Sequence, residues 1–162
     1  MALIADMSEP ERQSWITLIA DVCVFSIFIK SMTSGQFLNG FSVDNNDAAG
    51  LVGVYILVIV AAIIIHSIIA GIFAMRGKVS GLERDERDIE IERKGARNGF
   101  WVVSIAINIV IFQLLVENSL PSGYEPLFSV TSPSHMFFAL MAIMFLGDIV
   151  YRATMVLAYR GP

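Results

Sequence analysis

Cysteine occurs once in 162 residues, as Cys23, and histidine twice, as His66 and His135. A lone cysteine excludes an internal disulfide and a cysteine-built zinc site. It sits inside an apolar run, where it is expected to be a small buried packing residue. No G-x-S-x-G, no phosphate-binding glycine loop and no H-E-x-x-H occurs, and those are patterns that carry common chemistries. No polar stretch is long enough to hold a soluble catalytic domain, so an enzyme is not expected. Lysine and arginine are missing altogether from residues 33–50 and 117–134, an absence that proves to be informative about sidedness.

What is abundant is apolar surface. Hydrophobic residues make up 56% of the chain, against roughly 45–50% in a soluble domain, and the mean hydropathy is +0.68. The excess falls into four runs, at about 15–32, 51–75, 99–116 and 135–158. A bilayer core needs ~20 mostly apolar residues in helix. A membrane strand alternates and spans only ~9–11 residues, so the β-branched run at 51–75 reads as helix. Lipid offers no partner to a bare backbone, and a helix satisfies its own. The expected fold is all-α: a four-helix transmembrane bundle forming one integral membrane domain over residues 1–162. A short cytoplasmic helix over about 80–98 is expected between helices 2 and 3, continuing into the third run with a bend at Gly95 or Gly99.

Of the eleven basic residues, all but Lys30 fall on one side of these runs. Arg12 precedes the first. Arg76, Lys78, Arg84, Arg87, Arg93, Lys94 and Arg97 lie between the second and third, and Arg152 and Arg160 end the fourth. The positive-inside rule then places both termini and the central loop in the cytoplasm, in a bacterial inner (plasma) membrane crossed several times. Lys30 can snorkel to the opposite interface. The first fourteen residues hold Asp6, Glu9 and Glu11 against a single Arg12, unlike the basic start of a cleavable signal, and the first run is expected to be retained.

The central segment is ordered by charge. Glu83, Asp85, Glu86 and Asp88 come first; Arg93, Lys94 and Arg97 come last. That order complements a helix macrodipole. Ser80 and Glu83 have capping-box spacing, and Glu83–Arg87 and Glu90–Lys94 are favourable i,i+4 pairs. Leu82, Ile89 and Ala96 form a thin apolar stripe. The segment reads as a solvated linker whose basic end meets the membrane lipid, or as a docking surface for a partner built on Leu82, Asp85, Glu86, Arg87, Asp88 and Ile89. Interleaved acids spoil the field that would attract phosphates, so nucleic acid is not an expected partner. The remaining partners are a cytoplasmic protein and a second copy of the chain.

The run Asp85-Glu86-Arg87-Asp88, then Ile89-Glu90, then Arg93-Lys94-Gly95-Ala96-Arg97 entering an apolar helix, resembles a family of small bacterial membrane proteins of about four spans and no assigned function. The likeness covers about Glu83 to Trp101. Members often stand beside small helix-turn-helix regulators, which implies a sensing or partner-sequestering role and brings no catalytic residue.

Ionisable groups inside spans are expensive and face a bundle interior or water. Here they are Asp21, His66, Asp148 and Arg152, with Asn108 and Gln113 neutral and Glu117 at an outer end. Asp148 and Arg152 are i,i+4 and can pair. Asp21, His66 and Asp148 lie on three different runs at a similar depth, ~10–14 Å from the basic side by helix rise. They form either hydrogen bonds that specify packing or an ion or proton site. His135 lies ~20 Å from His66 along the normal, too far to share a haem iron. Asp44 to Asp47 (D-N-N-D) lacks the ligand series of a calcium loop and reads as a turn. No cofactor and no metal is expected. Ser67 with Gly71, and Gly95 with Gly99, offer close packing. The functional expectation is a non-enzymatic membrane protein acting through protein partners, as regulator or accessory subunit. The alternative is a small ion- or proton-coupled transporter or channel component working as an oligomer.

Overall fold

A computed structural model of the chain describes residues 9–33, 48–76, 85–119 and 129–161, apart from the side chains of 9, 48, 49, 70 and 72–76. Four helices fill them: α1 (Glu9–Thr33), α2 (Ala48–Arg76), α3 (Glu86–Ser119) and α4 (Pro133–Arg160). No strand occurs among the described residues. Each helix is long and apolar enough to cross a membrane, so the chain has the build of a multi-pass membrane protein.

The contacts fix the arrangement. Glu11, Asp21 and Phe28 of α1 meet Arg160, Asp148 and Phe138 of α4 in that order. Asp88, Asn98 and Gly99 of α3 meet Tyr159, Thr154 and Gly147 of α4. Helices α1 and α3 therefore run one way, α2 and α4 the other. In space α1 lies between α2 and α4, and α4 between α1 and α3. One end of the bundle gathers the starts of α1 and α3 and the finishes of α2 and α4; it is called the charged end below.

The apolar core occupies the half away from the charged end. Val24, Phe28 and Met32, one turn apart on α1, are fully buried against Val54 and Val58 of α2. Phe137, Phe138, Met141 and Phe145 of α4 close over them, with Phe28 stacked on Phe138 at 5.6 Å between ring centroids. Elsewhere large apolar side chains point outward. On α2 these include Ile56, Ile63 and Ile68, and on α3 Phe100, Ile109 and Phe112. In lipid this is no penalty, because acyl chains are as apolar as the side chains. The same reasoning explains a departure at Cys23, which is exposed rather than buried.

A separate short helix before the third span is not what the structure shows. Residues 86–98 are the opening turns of α3, continuous with its membrane stretch. The helix is unbroken through Gly95 and Gly99, and both are buried against α4. Ser80, Leu82 and Glu83 lie outside the described residues. The cap that is described is Asp85, whose N–H donates to Asp88 Oδ2 at 3.3 Å while its carbonyl accepts from Asp88 N–H at 3.0 Å, a variant of the capping box. Of the expected stripe, Ile89 and Ala96 face outward, and Ile91 is the buried residue.

At the other end Glu117 ties α3 to the approach to α4. Its carboxylate accepts from Gln113 Nε2 at 2.9 Å, Val130 N–H at 3.1 Å and Ser129 Oγ at 3.1 Å. Hydrogen bonds to an ionised group contribute about 1.5–3 kcal/mol each when the partner is left stranded. Glu117→Ala should lower unfolding stability in detergent by about 2–3 kcal/mol, and Glu117→Gln, which keeps one acceptor oxygen, by about half of that. An unchanged midpoint for the alanine variant would show that these bonds contribute nothing.

Candidate functional site

Three helices bring the expected polar residues together. Asp21 is on the face of α1 that turns inward, and its side chain is 5% exposed. From α2, His66 Nε2 approaches Asp21 Oδ1 to 3.4 Å. From α4, Asp148 stands beside Asp21, near enough to repel it when both are ionised and to hydrogen-bond it when one is protonated. Arg152, one turn further along α4, holds its Nε 4.0 Å from Asp148 Oδ1. Residues expected at one depth on three helices thus lie near one another, and Arg152 Nε stands beside Asp148 at ion-pair rather than hydrogen-bond distance.

The protonation chemistry follows from donors and acceptors. His66 Nδ1 lies 2.8 Å from the Ala62 carbonyl. A carbonyl only accepts, so Nδ1 carries a hydrogen. Nε2 then faces a carboxyl oxygen. Bare imidazole nitrogen against carboxylate is two lone pairs in contact. A favourable contact needs one proton there, as imidazolium facing carboxylate or as imidazole facing carboxylic acid. Asp21 Oδ2 is buried, and among the described residues no N–H or alcohol donates to it. Burial of an unpaired carboxylate oxygen is costly, and proton binding relieves it.

The cluster is not closed on all sides. The side chains of His66 and Asp148 are 46% and 48% exposed. Arg152 is partly covered; its guanidinium lies 4.6 Å from the centre of the Tyr151 ring. Toward the charged end Arg152 also lines a cavity of about 110 Å³ with Gln13, Ser14, Asp88, Glu92 and Tyr159. Polar groups therefore continue from the bundle's end to Arg152, and from Arg152 through Asp148 to Asp21 and His66. Among the described residues no three His, Cys, Asp or Glu side chains are grouped to hold a metal ion.

The second set of expected site residues separates. Leu82 lies outside the described residues. Asp85 caps α3, and Asp88 accepts from Tyr159 Oη at 2.9 Å, so both serve the fold. Glu86, Arg87 and Ile89 remain outward-facing, Ile89 at 46% exposure. A neighbouring lock joins the same end of the bundle: Arg160 Nε is 3.4 Å from Glu11 Oε1, with the guanidinium 4.8 Å from the Trp15 ring centre.

Sequence reasoning missed Gly147. Its backbone meets Gly99, and a Cβ there would strike Val103. The signal was present as an isolated glycine in an apolar run, at the height of Gly99. Ser67 and Gly71, which did show a small-residue pattern, are not used: nothing lies within 4 Å of a Cβ built at Gly71. Compared with protein-family models, with curated proteins and with solved structures, the chain matches none.

Proposed function

We propose that this protein is a proton-binding component of a membrane transport system, with Asp21, His66 and Asp148 as the proton site and Arg152 as its link to the cytoplasmic side. One observation carries the reading: a buried carboxyl on α1 meets an imidazole from α2 and a second carboxyl from α4. Ionisable groups converging inside a membrane are the hallmark of proton relays. Protonation changes the forces between three helices at once, which gives a proton a means to move them. The activity is non-enzymatic. A direct test is infrared spectroscopy of the protein in liposomes: as the pH is lowered a protonated-carboxyl band should grow in that Asp21→Asn removes. A parent whose carboxyl bands are the same as those of Asp21→Asn at every pH would sink the reading.

A second reading, regulation through a cytoplasmic partner, rests on Ile89, an exposed isoleucine among the charges of the first turns of α3. It also agrees with the resemblance of the Asp85–Asp88 segment to the small four-span family, in which partner sequestering is implied. The two readings are compatible if the partner senses the state of the proton site.

Both readings take the charged end as cytoplasmic, in a bacterial inner membrane, on the distribution of arginine and lysine. In a Cys23→Ala background, a cysteine at Ser42 or Ser122 should react with an impermeant reagent in intact cells, and one at Ser80 should react only after permeabilisation. Labelling of Ser80 from outside would invert the topology.

A further inference from the structure

Among the described residues, helix α3 packs mainly against α4. Gly95 and Gly99 face α4. Asn108 is nine residues beyond Gly99, which is two and a half turns, so it points directly away from α4. It stands in a stripe of Trp101, Ile105, Asn108, Phe112 and Leu115, spaced by four, three, four and three residues. All five are exposed. A groove of about 360 Å³ runs along this stripe between Trp101 and Phe112.

An amide facing hydrocarbon is costly unless its donors and acceptor are used. Asn108 Nδ2 donates to the Ser104 carbonyl at 2.8 Å. One N–H and Oδ1 are left over among the described residues. Two other outward polar groups in the spans are differently placed. The Ser26 hydroxyl donates to Val22 carbonyl at 2.7 Å, which uses its single hydrogen. His66 has both ring nitrogens engaged.

We infer that this face of α3 is the interface between two copies of the chain, with the α3 helices parallel and the two Asn108 amides hydrogen-bonded to each other. Lipid cannot supply the missing partner. A protein partner must offer a donor and an acceptor ~14 Å from Gly99, the depth set by helix rise. A second copy does so without further conditions. It inserts with the same topology, so its Asn108 lies at the same depth. Each amide has one N–H and one oxygen free, so a two-fold pair satisfies all four groups. The three–four spacing is the one by which parallel helices mesh side chains at a shallow crossing angle. Trp101, Phe112 and Leu115 supply the knobs. This inference is independent of the proton site.

The test is energy transfer between donor- and acceptor-labelled copies of the full chain in liposomes, over a range of protein-to-lipid ratios. The parent should associate. Asn108→Leu should weaken association roughly three- to tenfold, the range expected for interhelical amide bonds. Asn108→Gln, which keeps donor and acceptor, should retain most of it. In a Cys23→Ala background, a cysteine at Leu115 should cross-link copies, and one at Ile107, a quarter-turn off the stripe, should not. A parent that stays monomeric at every ratio, or that associates equally well as Asn108→Leu, overturns the proposal. So does cross-linking at Ile107 in preference to Leu115, which would place the contact on another face.

Discussion

Gly99→Leu should release α3 from α4 while leaving the α1–α2–α4 core assembled. A Cβ at Gly99 would lie 2.8 Å from the Gly147 carbonyl oxygen, inside van der Waals contact. The obstacle is backbone, so no rotamer change can relieve it. Gly95 is similarly placed, with a Cβ 2.8 Å from Tyr151 Cδ2 and 2.9 Å from the Tyr151 carbonyl oxygen. At Gly147 the obstacle is Val103, a β-branched side chain with little freedom of its own. The three glycines let two backbones touch, and in lipid, where apolar burial between helices drives nothing, such contact is the main source of attraction. Overpacking in a soluble core costs about 1–3 kcal/mol; here a rigid carbonyl and the loss of the whole α3–α4 contact put the expected loss at the top of that range or above it. The controls are Gly53→Leu and Gly71→Leu, where an added Cβ meets nothing within 4 Å, and where stability should be unchanged. Asn98 Nδ2 and Thr154 Oγ1 are 3.3 Å apart across the same contact. Cysteines at these two positions, in a Cys23→Ala background, should therefore be joined by a short bifunctional thiol reagent, and Gly99→Leu should abolish that cross-link. A cross-link that still forms readily in the leucine variant would mean that the glycines are not what holds the helices together.

That contact also shows where the sequence stops being readable. The number of the helices followed from the apolar runs alone, because a lipid-spanning helix announces itself by length; their ends did not, and α3 begins at Glu86, well before the apolar run. Depth was readable too: counting 1.5 Å per residue placed Asp21, His66 and Asp148 at one level. Rotation was not. In a soluble helix the polar face marks solvent and the apolar face the core. In α2 nearly every residue from Leu51 to Ile65 is apolar, and Val54 and Val58, which are buried, look no different from Ile56 and Ile63, which are not. Cys23 was misassigned for that reason. The inward faces carry Gly95, Gly99 and Gly147 on α3 and α4 and Asp21 on α1, but Ser26, Gly53, Gly71 and Asn108 face outward, so a small or polar side chain does not by itself mark the buried side. The charged stretch before the third span was legible as helix running into that span, because its charge order complements a macrodipole; that Ile91, Gly95 and Gly99 are its buried residues, with the two glycines against α4, is tertiary packing that charge order does not encode.

Asp21→Asn should abolish potential-driven proton uptake into liposomes and leave the fold close to its parent stability. The argument turns on what an amide keeps and what it loses. Asparagine has the shape of aspartate, can donate to or accept from Asp148, and can accept from His66 Nε2 when that nitrogen carries a hydrogen. It cannot take up or release a proton. If the cluster only specifies packing, the substitution preserves its hydrogen bonds and proton entry stays as it was, since packing needs no titration. If the cluster relays protons, entry falls at least tenfold, toward the rate of protein-free liposomes. Asp148→Asn should act in the same direction. Asp148→Ala separates the two roles from the other side. It removes the carboxylate 4.0 Å from Arg152 Nε and leaves a partly covered guanidinium with no carboxylate beside it on its own helix. Breaking one half of a buried pair costs about 3–5 kcal/mol. Arg152 is 28% exposed, so a discounted loss of about 1–2 kcal/mol is expected. The stability order should then be parent, Asp21→Asn and Asp148→Asn together, with Asp148→Ala below them, whereas the order in proton entry should be parent above all three variants alike. Two measurements on the same four proteins, thermal unfolding and dye-reported internal pH under a valinomycin-clamped potential, give both orders. Proton entry that tracks stability across the set, with Asp21→Asn near the parent in both, would assign Asp21, His66 and Asp148 to packing alone.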